Sequence, residues 1–318
     1  MIKKIFLTPV ARLSLFVVLF FGFVFYGSFS DYNSKKLTTD NQNNVQNLQN
    51  AVVTKPIQVT KPKPKPVNLA IDVSAKSAMI SDINGNLFYS KDLHEKLAPA
   101  STTKIMTAVV ALENYDLDDV IKVPYYCTVV PTQKVGFVVG EKLTVRSLIT
   151  SMLVFSGADA ACTLQYKNNE PHIFIKQMND KAKELKLADT KFSNVIGYDE
   201  PDHYSSAIDM YTLAKYAMNN TEFKRDVSLK ETVIVSVDGA NVHSIKNTNE
   251  LLFTHNNILG IKTGFTDFAR DCLVFEYELK GKKFFGVLLG SENRFEDADK
   301  MITATNNYLT TLLSSAGK

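Results

Sequence analysis

A polar segment from Asp31 to Pro66 divides the chain and decides where a folded core can form. Asn and Gln occupy eight of the ten positions in residues 41–50, and residues 61–66 alternate Lys and Pro. Such a composition buries too little apolar surface to offset the entropy lost on ordering, and the Lys-Pro run favours an extended polyproline conformation. We therefore predict a disordered linker over residues 31–67 and one folded domain over residues 68–318.

An apolar run, Leu13–Phe29, precedes this linker and follows three basic residues, Lys3, Lys4 and Arg12. Its length of about 17 residues lies between a long signal sequence and a short spanning helix. The basic flank predicts that the N-terminus stays in the cytoplasm. Because no clean small-residue cleavage site follows, we interpret residues 1–30 as a cytoplasmic stub and signal anchor. The domain would then be extracytoplasmic on a single-pass anchor, residues 13–29, in the cell membrane. Secretion after signal cleavage is the alternative.

The charge is distributed unevenly between the two parts of the chain. Residues 1–66 contain nine Lys/Arg and two Asp, a balance of +7, so the remainder carries about −4 of the total of +3. A mildly acidic folded part argues against a nucleic-acid partner.

The remaining residues have the pattern of an α+β domain around one antiparallel sheet. Two β-type runs within Ala78–Tyr89 flank Asn84-Gly85, a strong hairpin signal. Helical periodicity is found in Ser101–Asn114, Leu143–Val154, Ile173–Lys186, Ser206–Met218 and Glu296–Leu313. Strand patterns are found in Thr232–Val237, Ile258–Gly264, Cys272–Leu279 and Lys283–Gly290, with Lys280-Gly281 as a tight turn between the last two.

The cysteines and histidines do not predict a metal site. Cys127, Cys162 and Cys272 show no CxxC spacing, and the five histidines show no H-x-x-x-H spacing. The cysteines lie among apolar neighbours, so they are either small buried hydrophobic residues or include one Cys127–Cys162 bridge.

Ser101 and Lys104 are the first candidates for chemistry, since Pro99-Ala100-Ser101-Thr102-Thr103-Lys104 opens a predicted helix. Residues three apart share a helix face, so the hydroxyl and the amine can meet. A serine needs a base to become a nucleophile, and a buried lysine can be that base because burial disfavours its charged form. The Ser-x-x-Lys pattern alone is weak: it recurs at Ser315–Lys318, and a serine that only caps a helix is the alternative.

Lys262-Thr263-Gly264, at the end of the predicted strand Ile258–Gly264, suits a substrate that ends in a carboxylate. Lys262 supplies charge, Thr263 a hydrogen bond, and Gly264 room for the substrate backbone. An edge strand with an ordinary surface lysine is the alternative. Ser156-Gly157-Ala158 lies between the two patterns in the sequence.

In this order the patterns resemble the S-x-x-K, S-x-N and K-T-G motifs of penicillin-binding proteins and class A β-lactamases. Within that superfamily the sequence most resembles the low-molecular-mass D-alanyl-D-alanine carboxypeptidases, the S11 serine peptidases. The segments that resemble the family, in order, are Leu97–Leu112, Gly140–Val145, Ser156–Ala161, Phe192–Ala207, Asn247–Leu252 and Gly260–Val274. The resemblance covers about residues 70–315.

The resemblance implies a fold and a reaction. The fold would be the penicillin-binding protein/β-lactamase-like sandwich, with an antiparallel sheet of about five strands flanked by helices and a helical subdomain. The reaction would remove the terminal D-alanine from peptidoglycan stem peptides through an acyl-serine, without a cofactor or a metal. β-Lactam antibiotics would be covalent inhibitors.

The resemblance also implies roles for individual residues. Ser101 would be the acylated nucleophile, Lys104 its general base, and Ser156 a proton relay to the leaving D-alanine. Lys262, Thr263, Gly264, Phe265 and Arg294 would bind substrate: the first two hold the carboxylate, and the Phe265 and Ser101 N–H groups form the oxyanion hole. For Arg294, a surface ion pair with Glu292 or Glu296 is the alternative.

Two positions depart from the family pattern. Ala158 stands where the family has an asparagine, and Phe268-Ala269-Arg270-Asp271 replaces a small residue, glycine and an aromatic residue. These departures leave a degenerate, non-hydrolytic wall- or penicillin-binding protein as an alternative function. A β-lactamase is disfavoured because no Glu-x-x-Leu-Asn run supplies a second base.

Overall fold

The computed structural model describes residues 67–316. The predicted signal anchor and nearly all of the predicted linker lie outside the described residues. Within residues 67–316, no helix has both the length and the apolar character needed to cross a membrane.

In chain order, the strands are β1 (Ser77–Asp82), β2 (Leu87–Lys91), β3 (Val120–Lys122), β4 (Lys142–Thr144), β5 (Glu231–Val235), β6 (Val242–Lys246), β7 (Ile258–Thr266), β8 (Arg270–Leu279) and β9 (Lys282–Ser291). The helices are α1 (Lys104–Asn114), α2 (Tyr125–Thr128), α3 (Val145–Val154), α4 (Ala158–Gln165), α5 (Pro171–Glu184), α6 (Ala207–Ala217), α7 (Thr221–Ser228), α8 (Leu251–Thr254) and α9 (Arg294–Ala316). A 3₁₀ turn, Ala100–Thr103, leads directly into α1.

The main sheet has five antiparallel strands in the order β2-β1-β9-β8-β7. This confirms the predicted five-stranded antiparallel sheet. The hairpin at Asn84-Gly85 is formed as expected, because the Asp82 carboxylate accepts the backbone N–H groups of Asn84 and Asn86 and closes the turn. The K-T-G sequence lies on β7, which is an edge strand of this sheet.

Both faces of the sheet are buried. Successive side chains of β9 point to opposite faces, so they belong alternately to two hydrophobic cores. Phe284 and Leu288 pack with Met301 and other apolar residues of α9 on one face. Phe285 and Val287 pack against the helical part of the domain on the other face. The last eight residues of β9 are all buried, which follows from this two-sided burial.

Two short ribbons, β3–β4 and β5–β6, lie outside the main sheet. The predicted strand Thr232–Val237 corresponds to β5, and its partner β6 was not predicted. Both ribbons lie on the side of the domain that carries the helices, since Ile121 and Ile245 belong to the helical core.

The cysteines adopt the bridged arrangement that the sequence left open. Cys127 of α2 and Cys162 of α4 form a disulfide with a Cα–Cα distance of 5.4 Å. Cys272 is a free, buried thiol, and burial raises its pKa to about 11. The residue at this position on β8 therefore behaves as a packing residue.

Candidate active site

The turn that precedes α1 brings Ser101 and Lys104 together. Lys104 Nζ lies 2.6 Å from Ser101 Oγ, the geometry that the three-residue spacing predicts. The residue before the serine, Ala100, has φ +46°, a conformation that costs a non-glycine residue about 1 kcal/mol or more. The strained turn points the serine hydroxyl at the lysine.

Lys104 is buried, with 1% of its surface exposed. Its Nζ also donates to the Ile196 carbonyl oxygen at 2.8 Å. Burial lowers the pKa of Lys104 to about 7, and the charge of Asp159 opposes this shift. A substantial fraction of Lys104 is therefore neutral near pH 7 and able to accept a proton from Ser101.

The Ile196 carbonyl is held by a folded segment, residues 192–198. Asn194 Oδ1 accepts the backbone N–H groups of Ile196, Gly197 and Tyr198. Gly197 has φ +87°, and a Cβ on it would lie 1.8 Å from the Ala100 carbonyl oxygen. Only glycine allows this segment to pack against the turn that carries the serine.

Lys262 of β7 lies close enough to Lys104 for their charges to interact, and Thr263 follows it on the strand. Lys262 is 1% exposed, so it is not the ordinary surface lysine that the sequence left as the alternative. Thr263 Oγ1 lies 2.6 Å from the hydroxyl of Thr248, a residue that the sequence did not single out. Burial, together with the positive charges of Lys104 and Arg294, holds the pKa of Lys262 well below its usual range.

Gly264 allows a close approach between β7 and the turn that carries Ser101. A Cβ on Gly264 would lie 2.9 Å from the Ser101 backbone nitrogen and 3.0 Å from the Ala100 Cβ. The glycine therefore lets β7 pack against the Ser101 turn, and its predicted contact with the substrate backbone stays a prediction. Any side chain here would push the serine away from the strand.

Arg294, the first residue of α9, is partly buried beside β7. Its Nη2 lies 2.7 Å from Asp271 Oδ1, and its Nη1 donates to the Gly264 carbonyl oxygen. The suggested surface ion pair with Glu292 or Glu296 is wrong, because the partner is Asp271 of β8. Asp271 belongs to the segment that departs from the family pattern, and it fixes this arginine under the end of β7.

Ser156 and Ala158 lie between α3 and the start of α4. Ser156 is 5% exposed and has φ +66°. Among the residues that the structure describes, its hydroxyl makes no hydrogen bond, so the geometry does not join it to Ser101 or Lys104. Ala158 is fully buried, and its N–H donates to the Gln133 carbonyl oxygen at 2.8 Å.

A cavity of about 300 Å³ opens above Ser101. Its walls come from three parts of the chain: Pro131 and Thr132, the segment from Ile196 to Asp199, and the end of β7 from Phe265. Phe265 is 53% exposed at the rim. Within residues 67–316, no group of three or more His, Cys, Asp or Glu side chains is placed to hold a metal ion.

Comparison with known proteins identifies the family. The model of the D-alanyl-D-alanine carboxypeptidase family, peptidase S11, matches residues 58–293. The chain is 30% identical to D-alanyl-D-alanine carboxypeptidase DacF of Bacillus subtilis, over 68% of this chain and 57% of DacF. It is 33% identical to the D-alanyl-D-alanine carboxypeptidase of Streptomyces sp. K15, over 69% of this chain and 82% of that protein. The chain thus spans little more than half the length of DacF.

The fold agrees with the same relatives. The crystal structure of the Streptomyces K15 DD-transpeptidase matches with a TM-score of 0.69 and 30% identity, over 73% of this chain and 97% of that chain. This match confirms the sandwich fold that the motif resemblance implied. The chain belongs to the peptidase S11 family of D-alanyl-D-alanine carboxypeptidases.

Proposed function

We propose that the protein is a serine D-Ala-D-Ala carboxypeptidase that removes the terminal D-alanine from peptidoglycan pentapeptide stems, without a cofactor. The observation that carries the proposal is the 2.6 Å contact between Ser101 Oγ and the buried Lys104 Nζ. A neutral lysine amine in this position accepts the serine proton as Oγ attacks the carbonyl carbon of the penultimate D-alanine.

The proposed reaction has two halves. In the first, the Ser101 Oγ–carbon bond forms, the proton moves to Lys104, and the carbon–nitrogen bond to the terminal D-alanine breaks as its amine takes up a proton. Ser156 relays that proton in our proposal, which rests on its place in the second motif. In the second half, water attacks the acyl-serine ester, and Ser101 regains its proton as the shortened stem leaves.

The charge around Lys262 favours a substrate that ends in a carboxylate. Among the described residues, no carboxylate lies within salt-bridge distance of Lys262 Nζ, which donates to the Thr263 carbonyl oxygen at 3.0 Å. Arg294 is already paired with Asp271. Charging a buried lysine without a counter-charge is costly, so the terminal carboxylate of a D-Ala-D-Ala peptide would supply the missing counter-charge and favour the charged form of Lys262.

The oxyanion of the tetrahedral intermediate is proposed to accept the backbone N–H groups of Ser101 and Phe265. Both residues line the cavity, and Gly264 holds their two segments in contact. Donors fixed in place before the reaction stabilise charge as it develops. β-Lactams carry a strained amide and a carboxylate, so the same groups would capture them as a covalent ester on Ser101.

A second candidate function rests on Ala158. The buried methyl group cannot donate or accept the hydrogen bond that an asparagine would offer to the substrate peptide. A protein that is acylated by penicillin but turns over peptides very slowly would act as a wall- or penicillin-binding protein. Release of D-alanine separates the two candidates.

The test is labelling of the full-length protein with a fluorescent penicillin, together with D-alanine release from a D-Ala-D-Ala peptide. We expect Ser101→Ala to abolish both signals, because it removes the only group that we assign as nucleophile. The matched control is Ser315→Ala, which alters the exposed second Ser-x-x-Lys sequence and should leave both unchanged. Undiminished labelling of the Ser101→Ala protein would show that the nucleophile lies elsewhere.

We further propose that residues 13–29 anchor the protein in the cell membrane with its folded domain on the extracytoplasmic side. The apolar run, its basic flank and the lack of a clean cleavage site support this placement. The substrate of the proposed reaction is also found on that side of the membrane. A secreted protein, released after signal cleavage, is the alternative.

A further inference from the structure

Asp159, the second residue of α4, is a fully buried carboxylate that the proposed reaction does not use. It contacts the segment that runs from residue 131 to residue 137, which we call the 131–137 wall. Asp159 Oδ1 accepts the N–H of Val135 at 3.1 Å, and Oδ2 accepts those of Gly136 at 2.9 Å and Phe137 at 3.3 Å. One carboxylate therefore satisfies three successive backbone donors of another segment.

The 131–137 wall is part of the cavity described above. Pro131 and Thr132 line it opposite the segment that begins at Ile196. Asp159 does not line the cavity itself and binds the other end of this segment, residues 135–137. A buried carboxylate with several backbone donors is held strongly, so it fixes the end of the wall that follows Pro131 and Thr132.

Asp159 also acts on Lys104 through its charge. The charge of Asp159 of α4 favours the protonated amine of Lys104, and the charge of Lys104 in turn lowers the pKa of Lys262 of β7. Loss of the Asp159 charge would lower the pKa of Lys104 further. The carboxylate that holds the wall is thereby linked to the protonation of Lys104.

We propose that Asp159 is a positioning residue for acyl transfer, which fixes the 131–137 wall of the substrate cavity and places a buried negative charge near Lys104. It does not touch the reacting atoms. This inference rests on the proposed function and adds to it a residue outside the three motifs. Its geometric part predicts an effect on substrate capture, and its electrostatic part predicts an effect on the pH profile.

The test compares Asp159→Asn with the wild type. The asparagine is nearly the same size, but its NH₂ group would face a backbone N–H of the wall and its charge is lost. We measure the second-order acylation constant with a fluorescent penicillin between pH 5 and 9, and separate the binding constant from the rate of the chemical step. We expect the constant to fall about 10- to 100-fold, mainly through weaker binding.

The pH profile distinguishes positioning from a general loss of structure. Because Lys104 must be neutral to act as a base, a lower pKa moves the acid limb of the Asp159→Asn profile to lower pH. The matched control is Asp209→Asn, a buried carboxylate in the first turn of α6 that accepts the N–H of Asp189 at 2.7 Å. This control should lose stability but keep the wild-type acid limb and acylation constants within about 2-fold.

Two results would overturn the proposal: wild-type constants in the Asp159→Asn protein, or a loss equal to that of the control with an unmoved acid limb. If the variant does not fold, amide hydrogen exchange on the wild type decides, since Gly136 and Phe137 should exchange slowly. If both amides exchange as fast as those of an unfolded peptide, their hydrogen bonds to Asp159 are contradicted. Acylation of the wild type by penicillin is the internal reference, because its failure would refute the proposed function and not this inference.

Discussion

Lys104 and Lys262 are both about 1% exposed, and burial has different consequences for each. Burial lowers the pKa of Lys104 to about 7, and the nearby carboxylate charge of Asp159 opposes this shift. Lys262 has two cations nearby, and its pKa falls further. A bound carboxylate would favour the charged form of Lys262 again. We therefore expect substrate binding to be accompanied by proton uptake at Lys262.

Ala158 is the residue at which the sequence departs most clearly from its family. We predict that Ala158→Asn raises kcat/KM for D-alanine release about 10- to 100-fold, because a restored hydrogen bond to the substrate is worth about 1–3 kcal/mol. Steady-state release by the wild type and the variant, measured side by side, checks this. Arg270, which could have replaced the missing amide, is exposed at the turn between β7 and β8.

The outcome of this comparison also bears on the two candidate functions. If the wild type releases D-alanine and Ala158→Asn has the same kcat/KM, our account of the missing amide is contradicted. Absence of release by both proteins, with penicillin labelling retained, would favour the wall-binding function. Labelling of Ser101 is the control that both proteins are folded.

At the scale of elements, His203 joins the segment after residue 192 to the turn before α1. The Ser193 N–H donates to His203 Nδ1 at 3.1 Å, so the ring proton lies on Nε2 and is donated to Thr103 Oγ1 at 2.8 Å. His203 is 2% exposed, and burial lowers its pKa to about 4. Protonation of Nδ1 would break the bond to Ser193.

This arrangement predicts how stability depends on pH. The folded pKa of His203, about 4, lies below the ordinary value of about 6.5, so its contribution is complete above pH 6.5 and declines as pH falls towards 4. The decline is about 1.4 kcal/mol per pH unit, or about 3 kcal/mol in all. We predict that His203→Gln flattens the pH dependence of the unfolding free energy in this range, measured by urea titration.

The exposed His172→Gln is the matched control and should keep the wild-type slope. Equal slopes in the wild type and His203→Gln would contradict the prediction. A loss of stability that is the same at pH 5 and pH 8 would show that the ring only fills space.

The elements that the sequence predicted are those with a strong local signal. The hairpin at Asn84-Gly85, the long helices and the strands that flank Lys280-Gly281 are all present within a few residues of their predicted bounds. The short strands β3 and β4 were missed because three residues carry too little periodicity, and the two lie on either side of α2 in the chain. The strand β6 was also missed, although it pairs with the neighbouring strand β5.

In the candidate site, too, the sequence predicts only those features that have a local signal. Ser101, Lys104 and Lys262 are found from short motifs, because their side chains carry the chemistry. The carbonyl oxygen of Ile196, which accepts a hydrogen bond from Lys104, is a backbone group. Every residue has such a group, so the sequence cannot predict this contact. Asp159 stands beside the second motif, but only the fold places three N–H groups of the 131–137 wall around it.

At the scale of the whole molecule, the proposed anchor can be tested directly. We predict that the full-length protein stays with membranes after washing with alkaline carbonate, because an apolar anchor resists extraction and a peripheral protein does not. A variant that lacks residues 1–30 is the control and should be released. A mature N-terminus at or after Phe29, found by sequencing, would instead establish signal cleavage.

The pairing of β1 with β9 joins two ends of the domain that are far apart in the chain. Ser77 is opposite Leu289 and Asp82 is opposite Phe284, so the N-terminal hairpin has no neighbour in the main sheet until the last strand is available. Such long-range pairing forms late in folding. If the residues after the proposed anchor cross the membrane in chain order, β1 and β2 would therefore cross before β9 is available, and the domain would lack its central sheet until translocation is nearly complete.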